Sequence, residues 1–184
     1  MLPIKVYRDG ELKLPQSIMT IGAFDGLHLG HQALINRAKS RAEIYGVPFV
    51  VYTFDPPPKV YFQNQSLLTP FAEKEKFLRN MGVDYTIVAS FDEHYASRSV
   101  GEFLVELRKI HPQEIWVGPN FYFGKGKSGT TQDLNMISKT FEQPVVRCSK
   151  GEVISSTRIR KLFQGNEADQ AYCLLGRQLT NEQV

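Results

Sequence analysis

The sequence predicts an α/β protein: a Rossmann-like, doubly wound parallel sheet of about five strands with helices on both faces. Three observations point there. Short runs of apolar and β-branched residues alternate with stretches of helical periodicity. The run over 48–54 (PFVVYTF) is apolar at successive positions, as a parallel strand covered on both faces must be. A glycine-rich turn, GAFDGLHLGH over 22–31, joins the first run to the first helical pattern, where folds of this class bind anions.

The elements follow in order. Ser17–Ile21 (SIMTI) is the first strand. Over 31–46, Leu34, Ala38, Ala42 and Tyr45 recur on one helical face, and Gly46-Val47-Pro48 stops the helix. The strand over 48–54 runs into Asp55 and three prolines, Pro56, Pro57 and Pro58, which predict a rigid extended loop. Thr69 as N-cap and Pro70 at the first helical position open a helix through Met81, with Gly82 at its end. A third strand covers 83–89, and Ser99 with Glu102 forms a capping box for the helix EFLVELRKI. The fourth strand, 114–117, leads into the loop GPNFYFGKGKSG. A helix over 132–139, a fifth strand over 144–148, and two short helices over 157–165 and 166–176 complete the pattern. No repeat, low-complexity tract or linker interrupts it, so residues 1–184 read as one domain.

Composition narrows the classes of function. At 42% hydrophobic and 22% charged residues, the chain can bury a full core. Its net charge of +3, from 22 Lys+Arg and 19 Asp+Glu, suits an acidic small molecule such as a nucleotide. Nucleic acid would call for a concentrated basic stripe, which is missing. Two cysteines, Cys148 and Cys173, exclude a disulfide scaffold and a CxxC motif. The N-terminus MLPIKVYRDG has no apolar signal core, and no apolar run approaches the ~20 residues that span a bilayer. The expected setting is the cytoplasm, without a membrane partner. No pattern in the chain specifies an oligomeric state.

Four segments could carry chemistry. In the first turn, glycines allow close backbone approach, and the helix start offers free N–H groups and a positive dipole end. His28 and His31 are three apart, so both share one face if they lie on the first helical turn. Two imidazoles aimed at one phosphate would stabilise charge developing on its oxygens; alternatively, one histidine caps or packs and the other is solvated. Ile154-Ser155-Ser156-Thr157-Arg158-Ile159-Arg160 is a second anion site or else an ordinary N-cap with surface arginines. The third loop contains GKS at 126–128, but a P-loop would need glycine at 121, where Phe121 stands. That loop keeps one amide, Asn120, and aromatics that either stack on a flat ring or close the core, Phe123 being the best placed to close it. The fourth, Thr53-Phe54-Asp55-Pro56, either walls a ring-binding pocket, together with Tyr61 or Phe62, or is a proline turn leaving a strand. His94 and His111 lack ligand-like neighbours, and there is no GxSxG.

Taken together, GAFDGLHLGHQALI, TFDPPP, GPNFYFGKGKSG and ISSTRIR resemble, in order and approximate spacing, the FMN adenylyltransferase domain of bacterial FAD synthetases, within the HxGH nucleotidyltransferases. The resemblance runs from Ser17 to Arg177. It implies transfer of an adenylyl group from MgATP to the phosphate of FMN, giving FAD and pyrophosphate. It also implies His28, His31, Asn120 and Arg158 as catalytic residues. Gly22, Phe24, Asp25, Gly30, Ser156, Thr157 and Arg158 would bind ATP, and Phe54, Asp55, Pro56, Asn120 and Phe121 would bind flavin. Mg2+ would come with the ATP phosphates, near Asn120, without a protein carboxylate cage. The alternatives are another HxGH nucleotidyltransferase with a different phosphorylated acceptor, and a non-catalytic flavin- or nucleotide-binding regulator. The chain departs from the family at Pro57, where histidine is frequent, and at its end. Such proteins usually continue after an LLGR-like segment into a riboflavin kinase domain, which has no room in these 184 residues.

Overall fold

Six strands pair in parallel: β1 (Lys5–Arg8), β2 (Ser17–Ile21), β3 (Phe49–Asp55), β4 (Tyr85–Ser90), β5 (Pro112–Val117) and β6 (Lys139–Glu142), in the order β1-β4-β3-β2-β5-β6. The computed structural model describes residues 5–176. Arg177 and the tail QLTNEQV, on which the single-domain expectation turns, lie outside the described residues.

The helices are α1 (Leu29–Tyr45), α2 (Pro58–Gln63), α3 (Phe71–Asn80), α4 (Glu93–Ala96), α5 (Val100–Arg108), α6 (Thr131–Leu134), α7 (Ser156–Gln164) and α8 (Ala168–Leu175). Successive strand residues face opposite sides, which gives the sheet two cores. Met19, Ile21, Val50 and Tyr52 pack with Phe103, Leu104 and Leu107 of α5. Ile18, Phe49, Val51 and Trp116 pack with Leu34, Ile35 and Ala38 of α1 and Leu78 of α3. Each large apolar side chain so buried contributes about 1.5–3 kcal/mol. A third, smaller cluster joins Ile159 and Leu162 of α7 to Ala171, Leu174 and Leu175 of α8.

This winding positions the site. From β2 the chain moves outward through β3 to β4, then returns to β5 on the other side of β2. The order therefore reverses between β2 and β5, where loops leaving the carboxyl ends diverge and open a crevice. The glycine-rich turn leaves β2 at Gly22, and GPNFYFG leaves β5 at Gly118.

The doubly wound α/β class and both helical layers are as expected; several details differ. The described residues hold six strands, because both edge strands evade a search for apolar runs. β1 (KVYR) and β6 (KTFE) are both largely exposed, and β6 begins at Lys139, the last residue of the segment expected to be helical. The expected helix shortens to α6, opened by a capping box in which the Asp133 carboxylate accepts from the Thr130 N–H at 2.8 Å, and residues 135–138 form turns and a bend. Residues 144–148 form no strand and contribute only a single bridge, Arg147 to Val153. The rigid loop is cut short by α2, with Pro57 and Pro58 at the N-cap and first helical positions, where a missing N–H costs nothing. The N-cap of α3 is Pro70 rather than Thr69, whose N–H goes to Asp25. Helix α1 begins at Leu29, two residues before the expected start. The capping box of α5 forms as read: Ser99 Oγ accepts from the Glu102 N–H at 3.2 Å, and the Glu102 carboxylate accepts from the Ser99 N–H at 2.7 Å.

Candidate active site

The turn after β2 is built around a buried ring. Phe24 takes left-handed backbone (φ 48°) and is wholly buried. Its ring occupies the space that a Cβ on Gly22 would need, 2.9 Å away, so only glycine fits there. The same ring meets the His31 imidazole edge-on, 5.4 Å between centroids. His28 is the N-cap of α1, its Nδ1 accepting from the His31 N–H at 3.3 Å. The two imidazoles stack, 3.6 Å between centroids and 16° between planes. A Cβ on Gly30 would lie 3.1 Å from the His28 ring. Capping and presentation on a shared face are thus combined in His28.

Burial lowers the His28 pKa to about 4, partly offset by a backbone hydrogen bond. Burial also holds His31 well below its ordinary value, helped by the neighbouring charges of His28 and Lys74. Both rings are therefore neutral at neutral pH, which the stack requires. Two cations ~4 Å apart would repel by about 4 kcal/mol at an effective dielectric constant of 20. His31 Nδ1 is buried without a partner among the described residues.

The start of α7 closes on this turn. Ser155 caps α7, accepting from the Arg158 N–H at 3.3 Å, and Ser156 Oγ donates to the Asp25 carbonyl at 2.8 Å. The Ile154 carbonyl would be 3.6 Å from a Cβ on Gly30. The N-termini of α1 and α7, with their unpaired N–H groups and positive dipole ends, therefore converge on one turn. Thr157, the second residue of α7, is exposed.

Other expected site residues fall differently. Asp25 turns inward: one carboxylate oxygen accepts from the N–H groups of Leu68 (3.0 Å) and Thr69 (3.1 Å), and the other pairs with buried Arg160. Arg158 points to the 148–152 turn, donating to Cys148 Sγ at 3.3 Å and pairing with Glu152. Its guanidinium lowers the Cys148 thiol pKa. Phe54 is only 8% exposed, packed among Tyr52, Phe91 and Tyr95. The aromatic surface beside it belongs instead to α2, where Tyr61 (43% exposed) and Phe62 (64%) set their edges against Phe91. Asp55 is exposed and Pro56 half-buried. Asn120 is exposed, with left-handed backbone (φ 58°), beyond the end of β5. Phe121 is half-buried and stacks on Phe123, which closes the core against Phe103.

One residue of the site, Lys74, escapes the sequence reading, and Arg160 enters it only as part of the 154–160 segment, without its buried pairing to Asp25. Arg160 donates to the Ser66 carbonyl at 2.8 Å as well as to Asp25. Ser156 and Arg160 are four apart, on one face of α7, and both reach Asp25. Lys74 is 1% exposed, and its Nζ donates to the carbonyls of Ala23 (2.9 Å) and Phe54 (3.3 Å) and to Thr53 Oγ1 (3.3 Å). It lies four residues before buried Leu78, so the apolar phase of α3 already marked it as core-facing. A groove of about 600 Å³ flanks α1 just beyond His31, lined by Ala33, Asn36, Arg37, Trp116 and Phe141 among others. Its Trp116 ring is covered by the Arg37 guanidinium, 5.6 Å from the ring centroid.

With that geometry in place, residues 11–158 match the family model described as FAD synthetase. The chain belongs to the FAD synthetase family. As a member, it is a nucleotidyltransferase of the FMN adenylyltransferase class. It is 42% identical, over 173 residues, to a bifunctional riboflavin kinase/FMN adenylyltransferase by name from Geobacillus thermodenitrificans, covering 92% of this chain and 95% of that protein. It is 32% identical to an FAD synthetase of Listeria monocytogenes, covering 87% of this chain and 68% of the relative. It spans about half the length of a bifunctional riboflavin kinase/FMN adenylyltransferase from the same organism, 55%, at 34% identity.

Among solved structures, one named as a macrolide-efflux protein from Streptococcus pneumoniae superposes with a TM-score of 0.82 at 29% identity, over 96% of this chain and 72% of that one. Among the described residues, no helix is long and apolar enough to cross a membrane. A pantoate-beta-alanine ligase from Francisella tularensis shares the fold alone, with a TM-score of 0.52 at 16% identity, covering 97% of this chain and 90% of that one.

Proposed function

We propose that the chain transfers the adenylyl group of MgATP to FMN, and that the turn joining β2 to α1 and the start of α7 hold the reacting phosphates. A phosphate oxygen of FMN attacks the α-phosphorus of ATP. The bond from that phosphorus to the bridging oxygen of the β-phosphate breaks, its electron pair leaves with pyrophosphate, and FAD remains. No covalent enzyme intermediate is needed, so the protein contributes position and charge stabilisation.

The observation that carries this reading is the stacked, neutral His28–His31 pair where two helix N-termini meet at the switch point of the sheet. Neutral imidazoles donate N–H bonds to the α-phosphate oxygens as charge builds there. The free N–H groups at the start of α7 and the Thr157 hydroxyl take the outer phosphates, with Arg158 as their cationic partner once it releases Glu152. Gly22 and Gly30 leave room for phosphate, while Phe24 and Asp25 shape the turn from beneath. Asn120 orients phosphate oxygens from the neighbouring strand end. On the flavin side, Tyr61 and Phe62 replace buried Phe54 as the ring-facing aromatics, alongside Asp55, Pro56 and Phe121. Mg2+ enters as part of MgATP, coordinated by phosphate oxygens and water, as a hard, strongly hydrated cation prefers. Nucleotide and flavin substrates of this kind fit a cytoplasmic enzyme, with nucleic acid and membrane outside its partners.

Incubation with MgATP and FMN, followed by chromatography, tests the reading. FAD and pyrophosphate in equal amounts are expected. Turnover of ATP only with another phosphorylated acceptor, or binding of both ligands without any product, would refute it.

A further inference from the structure

The proposed chemistry leaves unused a lysine that the fold has taken out of water. Lys74 lies on α3, yet its three N–H bonds end on the two segments that lead into the site, one on the turn after β2 and two on the end of β3. The Ala23 carbonyl belongs to the turn carrying the histidines, and the Phe54 carbonyl to the end of β3 before the proline turn. Thr53 Oγ1, the third acceptor, itself donates to the Ala23 carbonyl at 3.1 Å. A buried ammonium needs all three of its hydrogens satisfied, and here the acceptors come from two segments 31 residues apart, Ala23 and Phe54.

Charge follows the same geometry. Asp25 from the β2 turn and Asp55 from β3 favour the charged lysine. Asp25, however, already balances Arg160 of α7, and Asp55 is exposed. His31 of α1 faces the same charge and is held neutral in part by it. Asp25, Arg160 and Lys74 together therefore leave one net positive charge beneath the histidine turn.

Resting on the proposed adenylyl transfer, we infer that Lys74 is a positioning residue: its ammonium pins the adenylyl-side turn to the flavin-side strand end and sets the gap that the reacting phosphates must close. The consequence is a pH dependence in the working range. Burial lowers the Lys74 pKa to about 8. Below that pH the ammonium makes all three bonds; above it, one hydrogen and the charge are lost. A small misplacement of reacting groups costs on the order of 10-fold to 10²-fold in rate.

The test compares wild type with Lys74→Met and Lys74→Gln in FAD formation between pH 6 and 9.5, with MgATP affinity measured separately by calorimetry. Wild-type kcat/KM for MgATP is expected to fall above about pH 8. Lys74→Met should lose roughly 10-fold or more in kcat at pH 7, bind MgATP within about threefold of wild type, and show no alkaline fall. If Lys74→Met fails to fold by circular dichroism, Lys74→Gln, which keeps two donors without a charge, is expected to fold and give the same flat profile. An alkaline fall that persists in the folded variant, or kcat within twofold of wild type, would overturn the inference alone. No FAD from the wild type would overturn adenylyl transfer and this inference with it.

Discussion

The turn between β2 and α1 and the start of α7 bring two helix N-termini to one place, but they hold their side chains by opposite means. The turn is fixed by apolar packing: Phe24 is sealed beneath it, the His31 ring lies against Phe24, and the His28 ring lies against His31. The start of α7 is fixed by charge and hydrogen bonds: Ser156 and Arg160 on Asp25, and Arg158 on Cys148 and Glu152. Rigid packing suits groups that must be placed before charge develops. Exchangeable ion pairs suit groups that take up an incoming triphosphate. Within α7 itself the same division recurs, since Arg160 is buried and structural while Arg158 pairs with a carboxylate that stays 59% exposed.

The sharpest way to break this contrast is to remove one charge from each pair. Asp25→Asn leaves Arg160 buried without its counter-ion and should cost about 3–5 kcal/mol in urea denaturation. Arg158→Ala removes an exposed pair and should cost less than about 1 kcal/mol while raising the KM for MgATP. Equal losses from the two substitutions would contradict the contrast, and a larger loss from Arg158→Ala would mean that the two arginines have been assigned the wrong way round.

Acid should probe the packed half. His28 has a pKa of about 4 in the folded chain against 6.5 unfolded, so between those values the unfolded chain holds more protons. Stability contributed by neutral His28 is complete above pH 6.5 and declines as pH falls toward 4, by roughly 3 kcal/mol for this residue alone. Asn retains an N-cap acceptor, so His28→Asn should flatten that decline; an unchanged slope would remove His28 as its source.

Smaller effects sharpen the picture. Gly30→Ala improves intrinsic helix propensity by about 1 kcal/mol, yet its Cβ would lie 3.1 Å from the His28 ring. Stability should therefore change by no more than about 1 kcal/mol while FAD formation drops about 10-fold. Ser155→Ala removes only the cap of α7 and should cost about 1 kcal/mol with little change in kcat.

What was legible in the sequence follows the same divide. The strands and helices around β2, β3 and α5 announce themselves because burial on both faces imposes apolar runs and because Ser99 and Glu102 spell out a cap. The histidine turn was legible for a related reason, since its position between strand and helix is set by topology. The edge strands β1 and β6 bury little and so leave no apolar signature. Side-chain direction was hidden wherever tertiary charge pairing decides it. The spacing R-I-R does not say which arginine turns inward until Asp25 is placed beside it. The direction of Phe54 was hidden because a strand-end aromatic can face either the core or the crevice, and the ring cluster with Tyr52, Phe91 and Tyr95 draws it toward the core.

The central claim is that the packed histidine pair stabilises the transition state rather than merely holding ATP. Single-turnover FAD formation by His31→Ala, with MgATP affinity measured on the same preparation, tests it directly. A rate lower by roughly 10²-fold or more with affinity changed by less than about threefold is the predicted result. A rate equal to wild type, or a loss accounted for entirely by weaker MgATP binding, would contradict it.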